Sequence, residues 1–125
     1  MLQPPFIVVD KSTDLYFYRA IEDVSRDLEA VDVRNGEYRF YDCNACPAEL
    51  GVEPTIVLRL PAFLGGGLPG EYVKVGPSSA PPEPLELICA LNRALDNLPE
   101  ELPEPRPSTL PELINLTISK YGYSP

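Results

Sequence analysis

The sequence predicts an α+β fold: a small antiparallel β-sheet with two or three helices packed on one face. Three observations carry that expectation. Short β-branched and aromatic runs alternate with polar turns through roughly the first sixty residues. Apolar residues recur at helical spacing in three other segments. Sixteen prolines, against a typical share of about 5%, concentrate from Pro61 onward and divide these elements. The length of 125 residues fits a single domain over 1–125, and a chain of this size buries enough surface for one modest core.

Phe6-Ile7-Val8-Val9 and Leu15-Tyr16-Phe17-Tyr18 flank the polar stretch Asp10–Asp14, which reads as a β-hairpin. Ile21, Val24, Leu28 and Val31 then lie on one helical face, predicting a single amphipathic helix of about ten residues. Its acidic early residues suit the positive end of the helix dipole. Asn35-Gly36 marks a turn. Glu37–Asp42 alternates, with Tyr38 and Phe40 on one face and Arg39 and Tyr41 on the other, as in a half-buried strand. Cys43–Pro47 leads into Pro47-Ala48-Glu49-Leu50 as the turn of a hairpin. Thr55–Leu60 is a further strand expected in the same sheet.

Pro/Gly-rich loops are expected at about 61–84 and 99–108, with Tyr72–Val75 a weaker strand inside the first. Leu87, Ile88, Leu91, Leu95 and Leu98 predict a helix beginning near Pro84 and stopped by Pro99. A last helix starts at Thr109, where Glu112 stands at capping-box spacing, and ends at Gly122.

Charge narrows the function. Nineteen acidic against ten basic residues give −9, which argues against a nucleic-acid binder, because such affinity rests on Lys and Arg neutralising phosphates. It argues equally against an anionic membrane surface. No apolar run approaches the ~20 residues of a membrane span. Met1–Pro5 shows no cationic segment leading into an apolar one, and three cysteines suit a reducing compartment better than a disulfide framework. A cytoplasmic location is expected.

Catalytic machinery is hard to assemble from this chain. It has no histidine, the commonest general base. None of its three lysines stands in a Ser-x-x-Lys arrangement. Gly65–Gly67 lacks the Lys and Ser/Thr of a phosphate loop. The pair Cys43 and Cys46 has CxxC spacing, which suits a redox dithiol or half a zinc site. With Cys89 as the only other thiol, and a turn where a dithiol motif would open a helix, incidental turn cysteines are the preferred reading. Metal or redox chemistry at the pair is the alternative. No other cofactor is implied.

The acidic face Glu22, Asp23, Asp27 and Glu29, with Asp32, is the candidate contact patch. Tyr16, Tyr18 and Tyr41 would supply rigid aromatic contact beside it. The plainer reading of the same residues is the solvated side of an amphipathic helix and a half-buried sheet.

Asp14-Leu15, Ile21-Glu22-Asp23, Leu28–Val33, Asn35-Gly36-Glu37-Tyr38 and Tyr41-Asp42 together resemble small bacterial immunity-type proteins of polymorphic toxin systems. The resemblance covers roughly the first sixty residues and is structural: strand, strand, acidic helix, turn, strand. Cys43–Pro47 departs from it, standing where a glycine-containing turn is expected, and the proline-rich second half has no counterpart. Taken with the acidic charge, the small size and the missing catalytic groups, it implies a non-catalytic immunity protein that neutralises a cognate toxin, a basic domain, by occlusion. An adaptor using Pro81–Pro84 or Pro99–Pro107 to fill aromatic grooves is a further alternative.

Overall fold

A computed structural model describes residues 2–59, 61–76, 80–102 and 104–124. The first hairpin forms as expected, β1 (Phe6–Asp10) and β2 (Leu15–Tyr18) pairing antiparallel from Phe6↔Tyr18 to Val9↔Leu15. Asp10 closes its turn, with one carboxylate oxygen accepting the Asp14 N–H at 2.9 Å. Helices α1 (Ile21–Asp27) and α2 (Ala30–Arg34) follow. The chain then returns as β3 (Tyr38–Tyr41), which turns into the two-residue β4 (Pro47–Ala48). These four strands make an antiparallel sheet of order β2-β1-β3-β4.

Among the described residues, strands β5 (Leu50–Arg59) and β6 (Gly67–Val75) pair only with each other, in a long two-stranded arm. A short 3-10 turn at Ala62–Leu64 and two positive-φ glycines, Gly65 and Gly66, reverse the chain at its tip, where Phe63 is 84% exposed. Helices α3 (Pro84–Asp96) and α4 (Leu110–Tyr121) complete the fold.

Strand β1 organises the interior, because its unbroken apolar run feeds both faces of the sheet. Ile7 and Val9 point to one side, where Phe17 and Tyr41 meet Leu87, Leu91, Leu95, Leu113 and Ile114 of α3 and α4. Phe6 and Val8 point to the other, joining Tyr18, Val24, Leu28, Val33 and Phe40 with Val73 of the arm. Phe6 and Phe40 stack across neighbouring strands at 5.6 Å between ring centroids.

The α+β class therefore holds, with several differences of arrangement. The helices lie on both faces of the sheet, since a strand apolar on both sides needs two covers. The segment Thr55–Leu60 does not join the main sheet: through Arg59 it belongs to the arm, and Leu60 lies outside the described residues. The expected loop at 61–84 contains all of β6 and the start of α3, while residues 77–79 lie outside the described set. Pro54 and Pro69 are tolerated within the ribbon because a two-stranded sheet has an unpaired outer edge on each strand. Residues 99–102 and 104–109 carry neither helix nor strand.

The single helix expected over Ile21–Val31 is broken in two. Leu28 and Glu29 are extended, with ψ of 139° and 134°. That offset rotates α2 so that Val33 is buried and Val31 is 55% exposed. A continuous helix would have turned Val33 away from the side of Val24. At Thr109 no side-chain cap forms, despite the spacing; its carbonyl accepts the Leu113 N–H at 3.0 Å instead.

A tyrosine-lined acidic cleft as the candidate functional site

The break between α1 and α2 has a consequence for charge. It holds Asp27, Leu28, Glu29 and Asp32 against the ends of β2 and β3, where they meet Tyr16, Tyr18 and Tyr38 around a cleft of about 190 Å³. The three tyrosines converge because period-two alternation puts Tyr16 and Tyr18 on one face of β2 and Tyr38 on the same face of β3. Strand β1 lies between them, contributing Asp10 opposite Tyr38.

Each phenol donates to a carboxylate. Tyr18 Oη reaches Asp27 Oδ2 at 2.6 Å, Tyr16 Oη reaches Asp10 Oδ2 at 3.0 Å and Tyr38 Oη reaches Asp32 Oδ2 at 3.3 Å. The Tyr18 ring is fully buried, so it anchors Asp27, while the half-buried Tyr16 and Tyr38 present surface to the opening. Burial, then the hydrogen bond and the charges around it, hold these phenols protonated. Tyr38 is pushed up to about 12, first by burial and then by Asp32. Tyr16 is raised by burial, by its bond to Asp10 and by the charges of Asp14 and Asp27; Tyr18 is raised by burial and Asp27.

Among the described residues, no basic side chain forms an ion pair with Asp10, Asp27, Glu29 or Asp32. The cleft thus combines aromatic walls, fixed carboxylates and unbalanced negative charge. An arginine or lysine side chain entering it would gain charge-assisted hydrogen bonds and contact with aromatic faces.

Of the residues predicted for a contact patch, Asp27, Glu29, Asp32, Tyr16 and Tyr18 come together here. Glu22 and Asp23 sit on the first turn of α1 outside the cleft, and Asp23 pairs with Arg26. Tyr41 is not an exposed contact: it is 2% exposed on the opposite face of the sheet, packed toward α3 and α4. Alternation along β3 requires this, since Tyr38 and Tyr41 are an odd number of residues apart. Tyr38 and Asp10 were not singled out from sequence. The alternation of Glu37–Asp42 carried the orientation of Tyr38, but its register with β1 is not a local property.

The second sequence candidate, Cys43 and Cys46, lies in the turn joining β3 to β4. Asp42, 1% exposed, organises that turn. Its Oδ1 accepts the N–H groups of Asn44 (2.8 Å) and Cys46 (3.0 Å), and its Oδ2 accepts that of Gln3 (3.1 Å). Ala45 is held at φ 62° with its methyl in the core, which accounts for a turn in which glycine was expected. Both thiols are raised, first by burial and then by the Asp42 carboxylate, a setting that disfavours the reactive thiolate. Among the described residues, no three His, Cys, Asp or Glu side chains gather as metal ligands. No described helix is long and apolar enough to cross a membrane. The chain matches no protein-family model, no curated protein and no solved structure.

Proposed function

We propose that this protein acts without catalysis, as an immunity-type protein that seats a basic segment of a toxin domain in the cleft of Tyr16, Tyr38, Asp27, Glu29 and Asp32. The observation that carries the reading is negative charge that, among the described residues, has no cationic partner in an aromatic-walled opening. The net charge of −9 supports the same partner chemistry, because long-range attraction speeds encounter with a basic surface. Phenols are neutral across the physiological range without any shift, so the cleft's charge comes from its carboxylates alone.

The mechanism is occlusion. An arginine or lysine that the toxin needs for its own activity, or a cation next to its active site, would be withdrawn into the cleft while the surrounding surface blocks access. The test is coexpression with the product of the reading frame adjacent to this gene. Growth protection by the wild-type protein, lost in an Asp27→Asn/Glu29→Gln/Asp32→Asn variant of unchanged stability, is the expected result. An adjacent product that is non-toxic, or protection that survives the triple change, would remove the reading.

A further inference from the structure

In a chain with almost two carboxylates for every cation, cations should rarely lack partners. Arg26, Arg34, Lys74, Arg106 and Lys120 each sit in an ion pair. Arg19 lies over the Tyr123 ring at 3.9 Å, and Lys11 donates to the Asn35 carbonyl. Among the cations whose side chains are described, that leaves Arg39 and Arg93, and both line the same groove. This groove, of about 300 Å³, runs between β3 and α3 and is completed by Leu85, Glu86, Cys89 and Ala90. Like charges side by side repel unless an anion joins them.

We propose that this groove binds one carboxylate of an acidic peptide segment from a partner protein, with an aliphatic side chain beside it. Two guanidiniums, each offering a planar fork of donors, suit a carboxylate. Glu86 in the lining offsets one of the two cations, which disfavours a polyanion. Leu85, 73% exposed at the start of α3, together with Ala90, supplies an apolar floor for the neighbouring residue. The volume is at the small end for a ligand site and suits one carboxylate side chain with one aliphatic neighbour. Arg39 stands on the opposite face of the sheet from Tyr38, so this inference is independent of the acidic cleft.

The test is a nuclear magnetic resonance titration of the full chain with the peptide acetyl-Leu-Glu-Leu-amide. The neutral peptide acetyl-Leu-Gln-Leu-amide and inorganic phosphate are titrated alongside. Millimolar binding of the acidic peptide, with amide shifts centred on Cys89, Ala90 and Arg93, is expected. Arg39→Gln and Arg93→Gln should each weaken it about tenfold, the loss of one charge-assisted contact. Both side chains lie at the surface, and unchanged spectra elsewhere establish that the variants fold. A second readout needs no peptide. Mass-resolved modification of Cys89 by an anionic aryl disulfide, relative to a neutral pyridyl disulfide, should fall several-fold in the double variant. No shift with the acidic peptide, equal binding of the neutral one, tighter binding of phosphate, or a Cys89 ratio indifferent to both arginines would each overturn the proposal.

Discussion

Replacing Asp42 by alanine should unfasten the turn that carries Cys43 and Cys46. One buried carboxylate there satisfies three backbone N–H groups, those of Gln3, Asn44 and Cys46, at 2.8–3.1 Å. A hydrogen bond to a charged group contributes about 1.5–3 kcal/mol. Asn44 and Gln3 are exposed, so water recovers much of their loss, while the half-buried Cys46 is left with a poorer partner. A net destabilisation of roughly 2 kcal/mol follows, near 7 °C in Tm for a chain of this length. Asp42→Asn should recover much of the loss but not all of it, because the amide oxygen can still accept from Asn44 and Cys46 while the amide nitrogen sets donor against donor at Gln3. Urea unfolding followed by far-ultraviolet circular dichroism measures both variants. The thiols add a second readout: without the neighbouring carboxylate, Cys43 and Cys46 should titrate at lower pH. A stability loss below about 1 kcal/mol, or an Asp42→Asn variant as stable as wild type, would refute the reasoning that this carboxylate holds the turn.

Three further outcomes are expected. Tyr18→Phe removes the 2.6 Å bond to Asp27 and should cost about 1 kcal/mol by urea unfolding, at the low end of such bonds because Asp27 is exposed. Stability should fall as pH rises from about 10 toward 12. Tyr38 is held protonated up to about 12 in the folded state, against an ordinary phenol value of 10.0, so its contribution is complete below the unfolded value and is lost through the folded one. Phenolate absorbance and unfolding midpoints measured across that range check the sign. Ile7→Ala and Val8→Ala point to opposite faces of β1 and should both destabilise, by about 3 and 2 kcal/mol. A negligible effect at Val8 would mean that the arm and the short helices do not cover their side of the sheet.

Elements set by local periodicity were readable from sequence alone. The β1–β2 hairpin, α3 opening at Pro84 and α4 ending before Gly122 all follow from spacing, proline and glycine. The continuous run Phe6–Val9 also held the sign of a strand covered on both faces, although a one-sided arrangement was expected. Strand β6 was obscured because Pro69 and the glycines resemble loop composition. Only the pairing with β5, a non-local property, makes them a ribbon. The candidate cleft was readable as a set of residue types, acidic and tyrosine. Its assembly depended on the break at Leu28-Glu29, which no proline or glycine announces, and on the register that sets Asp10 beside Tyr38. Tyr41 was placed with the exposed tyrosines because composition does not say which face of β3 is solvated.

Asp27, Glu29 and Asp32, set among tyrosines, are proposed as the receptor for a basic partner. Calorimetric titration of a protein captured from the native cell, at two salt concentrations, tests it most directly. Affinity should fall with salt, and fall at least tenfold in the Asp27→Asn/Glu29→Gln/Asp32→Asn variant. A partner bound equally well by both proteins, or one whose affinity ignores salt, would contradict it.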